Sequence, residues 1–132
     1  MTRQGRAAVG AGLRALLIDD SPIALDFQQR LLQRYGFEAR GCTTLADLDA
    51  TLDGWRPDVI VTDVDLPEAE HTDVVALLRS SPGTQGVPVV LCSGLPLADL
   101  AALAAKRGAD AYVSKSENIE ALPAELRRAS GR

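Results

Sequence analysis

The chain has two cysteines, one histidine, no long apolar run and no excess of positive charge, and each shortage removes a class of protein. Cys42 and Cys92 each lie inside a strand-like run; two such residues make no disulfide framework and read as small buried apolar groups, which fits a reducing cytoplasm. The 14 Lys and Arg are outnumbered by 18 Asp and Glu. No basic stripe stands out, and Arg127, Arg128 and Arg132 are too few to make a nucleic-acid surface. No apolar run approaches the roughly 18 residues that a membrane span needs. Residues 1–12 carry Arg3 and Arg6 but lack the apolar centre of a signal peptide, and are expected to be a disordered leader. The lone His71 reads as a loop residue rather than a ligand. There is no internal repeat, no linker to a second domain, and no Gly-rich turn after the first strand of the kind that cradles a flavin phosphate.

What is present is alternation. With 132 residues, 46% of them hydrophobic, the chain can fill one core. Continuous Val/Ile/Leu runs predict strands near 13–19, 37–42, 58–63, 87–93 and 109–114, of the kind buried on both faces. Helices are expected between them. Ser21 is a candidate N-cap with Pro22 in the first turn, and Ile23, Phe27, Leu31 and Tyr35 recur at helical spacing up to a stop at Gly36. Leu45, Leu48, Leu52 and Trp55 predict a second apolar stripe; Val74, Val75, Leu77 and Leu78 a third, ended by the Ser-Pro-Gly at 81–83; Leu97, Leu100 and Leu103 a fourth, ended at Gly108. A fifth helix spans about 118–129, with Pro123 requiring either a late start or a kink. Strictly alternating elements imply an α/β fold with a parallel sheet and right-handed crossovers.

Four of the strand-like runs end in polar groups. Leu-Leu-Ile closes on Asp19 and Asp20, Val-Ile-Val-Thr on Asp63, Val-Val-Leu-Cys on Ser93, and Tyr-Val-Ser on Lys115. In an open parallel sheet, ligand sites form outside the carboxyl ends of the strands, so these side chains should converge. Crowded carboxylates repel unless a cation sits among them, and hard oxygen donors suit a divalent ion such as Mg2+. A hydroxyl and an ammonium beside that ion suit a phosphoryl group. Asp63, backed by apolar sheet and followed by the sharp turn Val-Asp-Leu-Pro, can attack phosphorus and form an acyl phosphate.

These motifs resemble the receiver domain of two-component response regulators: an acidic pair after strand one, Asp63-x-x-x-Pro67, a Ser ending strand four and a Lys ending strand five. The resemblance covers residues 13–130 and implies a flavodoxin-like (βα)5 three-layer sandwich with sheet order 2-1-3-4-5. It implies Asp63 as acceptor from a histidine kinase or phosphotransfer protein. Asp20 would bind Mg2+ directly, Asp19 largely through water, and Asp65 through its backbone carbonyl. Ser93 and Lys115 would hold the phosphoryl oxygens. Phosphorylation and dephosphorylation would be self-catalysed, outside conventional enzyme classes. Gly94, which leaves room for the loop after Ser93 to move, and Tyr112 would form the switch. The readout face would be helix four, strand five and helix five, with Leu97, Leu100, Ala104, Tyr112 and Leu122 as candidates, though core packing accounts for most of those leucines. Output would pass through a downstream protein rather than DNA or a membrane, with a phosphorylation-dependent homodimer as a further expectation.

Two departures stand out. His71 replaces a glycine common in that family, and Ser116 follows Lys115 where the family usually has Pro after a commonly cis peptide bond; for a non-proline, cis costs about 2.5–4 kcal/mol. Asp65 and Leu95 hold the two positions that tend to govern water access, and an acidic Asp65 should discourage attack on the acyl phosphate. Two other functions fit parts of the pattern: a phosphorylation-independent interaction module, and a small phosphohydrolase of the haloacid dehalogenase type, to which Asp63-Val-Asp65 is similar.

Overall fold

The computed structural model describes residues 9–67 and 73–131. Strands β1 (Arg14–Ile18), β2 (Glu38–Cys42), β3 (Val59–Thr62), β4 (Val89–Ser93) and β5 (Ala111–Ser114) form one parallel sheet in the order β2-β1-β3-β4-β5. Between and after them run α1 (Pro22–Arg34), α2 (Leu48–Leu52), α3 (Val74–Ser80), α4 (Leu97–Arg107) and α5 (Leu122–Ser130), with 3-10 turns leading into α2 and α5. Successive strand side chains point to opposite faces, which divides each run between two cores. Ala15 and Leu17 of β1 join Val59, Val61, Val90 and Val113 beneath Leu25 and Leu32 of α1 and Leu122 and Leu126 of α5. Leu16 and Ile18 join Ile60, Val89 and Leu91 beneath α2, α3 and α4. Both faces are covered, which is why the central strands read as unbroken apolar runs. This is the three-layer, flavodoxin-like arrangement expected.

Caps explain most helix bounds. Ser21 Oγ accepts from the Ala24 N–H at 3.2 Å, and Asp73 Oδ1 accepts from Val75 and Ala76 at the start of α3. Pro123 falls in the first turn of α5, so that helix starts late and is not kinked. The Lys115–Ser116 peptide is trans, like every other bond among the described residues.

Three expectations need correction. The apolar stripe of α1 lies on the opposite phase: Leu25, Gln28 and Leu32 are buried, whereas Ile23 is 84% and Phe27 51% exposed. Helix α2 ends at Leu52, where Asp53 and Gly54 take positive φ, so Trp55 lies beyond it, buried with its Nε1 donating to Glu38 at 3.0 Å. Among the readout candidates, Leu100 and Leu122 belong to the two cores, as the core-packing reading of those leucines anticipates; Ala104 is buried with them, Leu97 is half-buried and Tyr112 is 37% exposed. The expected leader does not extend to Gly12: the Gly10 N–H donates to Tyr35 O at 2.8 Å, and a Cβ at Gly10 would lie 2.1 Å from the Phe37 ring. Residues 1–8 of that leader, and His71, lie outside the described residues.

Candidate functional site

Sheet register brings the polar strand ends together. The Asp63 N–H donates to Ile18 O at 2.9 Å, extending the β1–β3 ladder by one residue and setting Asp63 beside Asp19. The Lys115 N–H donates to Ser93 O at 2.7 Å, doing the same for β4 and β5. Among the described residues, Asp19, Asp20 and Asp63 each offer a carboxylate oxygen, and these lie within 4.8 Å of one another. Asp19 and Asp63 are buried and Asp20 is exposed.

Each buried carboxylate is held. Asp19 Oδ1 accepts from the Ser21 N–H at 3.0 Å, and Asp63 Oδ1 from the Asp65 N–H at 3.1 Å. The Lys115 ammonium bridges the pair, 2.5 Å from Asp19 Oδ2 and 2.9 Å from Asp63 Oδ2. Burial alone would lower the lysine pKa. Hydrogen bonds to Asp19 and Asp63, together with their negative charges, outweigh burial and hold it above its usual value. Lys115 therefore stays cationic through the physiological range. The bridge is itself a fit test for Mg2+: the pocket already places one cation between two carboxylates, while the three offer only hard oxygen donors. Asp19, Asp20 and Asp63 are the residues that would hold such an ion.

The remaining candidates are arranged around this centre. Ser93 is buried, and its Oγ accepts from the Leu95 N–H at 3.2 Å. Asp65 is exposed and Leu95 half-buried. A side chain at Gly94 would meet nothing within 4 Å in this state. The loop after β4 is tied to the loop after β5 by three contacts: Ser114 Oγ to Leu95 O at 2.8 Å, Ser116 Oγ to Gly94 O at 3.2 Å, and the Leu97 N–H to Glu117 Oε2 at 2.5 Å. Ser116, the departure from the Lys-Pro pattern, thus holds the segment expected to move. Beside Lys115, Ser21, Ile23, Ala24, Phe27, Gln28 and Ile119 line an open, largely apolar depression. Cys92, on β4 next to Ser93, is fully buried; burial, then the charges of Asp19 and Asp63, push its thiol pKa up to about 12 against the opposing pull of Lys115.

One residue at the site was not expected. Gln28 is 2% exposed, and its Nε2 donates to Asp19 Oδ2 at 3.0 Å. Its signal in the sequence is a polar residue spaced to share a helix face with Leu25 and Leu32, a break in an otherwise apolar stripe.

A family model described as "Response regulator receiver domain" matches residues 15–127. The chain is 29% identical over 124 residues to a gliding motility regulatory protein of Myxococcus xanthus, covering 93% of this chain and 16% of that protein. It is 31% identical over 125 residues to the probable transcriptional regulatory protein TcrX of Mycobacterium tuberculosis, covering 92% and 51%. To the chemotaxis protein CheV1 of Helicobacter pylori it is 32% identical over 106 residues, covering 76% and 33%. The chain therefore spans about half or less of the length of these curated relatives. A crystal structure of a response regulator from Desulfuromonas acetoxidans superposes with a TM-score of 0.74 at 25% identity, covering 88% of this chain and 94% of that one. The chemotaxis response regulator CheY4 of Vibrio cholerae shares the fold with a TM-score of 0.74 at 23% identity, covering 90% and 99%.

Proposed function

The chain belongs to the response regulator receiver domain family, and from that premise we propose that Asp63 accepts a phosphoryl group from a histidine kinase or phosphotransfer protein, with Mg2+ as cofactor. Membership sets aside the phosphohydrolase alternative. The observation that carries the proposal is the Lys115 ammonium bridging Asp63 and Asp19 at 2.9 and 2.5 Å, a preorganised cation where negative charge must be met. An Asp63 carboxylate oxygen attacks phosphorus, the bond to the donor nitrogen breaks, and the electron pair returns to the donor imidazole. Bound Mg2+ would add a second positive charge against the transferred oxygens. Lys115 turns from the carboxylates toward the phosphoryl group, and the Ser93 hydroxyl donates to it.

Ile23, Phe27 and Ile119 line the depression beside Lys115, so a donor protein presenting its histidine to Asp63 would cover these apolar side chains. The Ser93 Oγ can keep accepting from the Leu95 N–H while its hydroxyl donates to the phosphoryl group, and a shift that brings it there would move the loop that Ser114, Ser116 and Glu117 restrain. Tyr112, exposed on β5, would follow. The signal would then be read by a downstream protein on the face built from α4, β5 and α5, in the cytoplasm, with a homodimer as one form of output. Among the described residues no helix is long and apolar enough to cross a membrane.

Intact mass after incubation with Mg2+ and acetyl phosphate tests the reading. The wild type should gain one phosphoryl group; Asp63→Asn, or wild type without Mg2+, should gain none. No gain by a folded wild type would leave a phosphorylation-independent interaction module. Exposed Asp65 places negative charge at the rim and discourages attacking hydroxide, so the group should outlast seconds; a phosphate-release assay showing loss within seconds would contradict that.

A further inference from the structure

The buried stripe of α1 is Leu25, Gln28 and Leu32, and at its centre packing alone would call for an apolar side chain. Gln28 occupies that place at 2% exposure, and its side-chain amide is spent on one acceptor, Asp19 Oδ2, at 3.0 Å. The same oxygen is the one that Lys115 holds at 2.5 Å, while Oδ1 is held by the Ser21 N–H at 3.0 Å. Asp19 is 1% exposed, so in this state its carboxylate depends on protein partners. If Lys115 turns toward a phosphoryl group on Asp63, Oδ2 loses its charged partner, and a buried carboxylate without hydrogen bonds is strongly disfavoured.

We propose that Gln28 is a positioning residue: its amide keeps Asp19 Oδ2 hydrogen-bonded and the carboxylate aimed into the pocket when Lys115 departs, which supports both cation binding and the transfer of Lys115. The amide is suited to this because it stays behind. It sits on a helix clamped by Leu25 and Leu32 on the core side, whereas Lys115 sits at the start of a loop and is partly exposed. Being neutral, the amide donates without adding a competing positive charge, so the carboxylate keeps its charge for the cation. Hydrogen bonds to metal-holding carboxylates act this way in general, and losing one costs about 10–100-fold in affinity.

The inference rests on the phosphoryl-acceptor reading and is tested on the full chain with Gln28→Met, which keeps length and apolar volume but removes the donor. Mn2+ binding, followed by the electron paramagnetic resonance signal of the free ion, should weaken about 10-fold or more relative to wild type. Leu32→Ala, on the same stripe but with a side chain that offers Asp19 no hydrogen bond, should lower thermal stability yet leave Mn2+ affinity within about twofold. Gln28→Met binding Mn2+ as tightly as a phosphorylatable wild type would overturn the inference and leave the function standing. A wild type that neither binds Mn2+ nor takes a phosphoryl group would overturn both. A second measurement needs no variant: in wild-type protein with Mg2+ and beryllofluoride, the Gln28 side-chain amide protons should remain protected from exchange by NMR. Rapid exchange in that state would overturn the inference.

Discussion

The two ends of the same sheet treat charge in opposite ways. At the amino end, Arg14 pairs with Glu38 at 3.6 Å with both side chains about half exposed, and the guanidinium groups of Arg14 and Arg40 lie 5.9 and 4.7 Å from the Trp55 ring. At the carboxyl end of the same strands, Asp19 and Asp63 are buried and share one ammonium. Water screens the first set, and such pairs contribute about 0–1 kcal/mol. It hardly reaches Asp19 and Asp63, and with exposed Asp20 beside them three carboxylates lie within 4.8 Å of one another, which calls for a cation among them. Charge spent on the amino end decorates a fold that its core already holds; charge buried at the carboxyl end costs stability and builds a cluster whose oxygens are suited to a cation.

The comparison is easiest to break at Lys115. Lys115→Met should destabilise the protein by about 2–3 kcal/mol in urea unfolding, somewhat less than a wholly buried pair because the ammonium keeps some access to water. Millimolar Mg2+ should restore much of that loss by supplying the missing cation. The same lysine sets an alkaline limit. Its folded pKa is raised, so its contribution is complete below the unfolded value of about 10.4 and is lost as pH rises through the higher folded value. Wild-type stability should therefore fall more steeply than that of Lys115→Met above about pH 10.4, as pH-dependent unfolding would show. Next in size, Mg2+ at ten times its Kd should stabilise wild type by about 1.4 kcal/mol in thermal unfolding. Arg14→Ala, at the opposite end, should cost less than about 1 kcal/mol and leave that Mg2+ increment unchanged. An Arg14→Ala effect as large as that of Lys115→Met would erase the contrast between the ends.

How much of this was legible in the sequence follows the same division. Strand ends were readable because a buried parallel strand announces itself as an apolar run, and polar residues closing several such runs must gather at one edge of the sheet. Asp19, Asp20, Asp63, Ser93 and Lys115 were all found that way, and register did the rest. Helix faces were harder. In α1 the helical spacing of Ile23, Phe27, Leu31 and Tyr35 points to a wholly apolar stripe, whereas the fold buries Leu25, Gln28 and Leu32, the set containing the glutamine. The misreading has a physical cause. The apolar set includes Ile23 and Phe27, which lie beside the pocket rather than in the core, and the polar interruption belongs to the site. Trp55 was misplaced for a similar reason: its spacing extended a helix that Asp53 and Gly54 end by taking positive φ. Ser116 was recognised as a departure, but not the hydrogen bond to Gly94 O by which it restrains the loop after Ser93.

The central claim is that the carboxyl-end cluster makes Asp63 a phosphoryl acceptor. Its most direct test is borohydride reduction of the protein after incubation with acetyl phosphate and Mg2+, followed by peptide mass mapping. An acyl phosphate is reduced where a free carboxylate is not, so the account predicts homoserine at position 63 and aspartate at positions 19, 20 and 65. Homoserine elsewhere, or an unmodified Asp63 in protein that has gained phosphoryl mass, would contradict it.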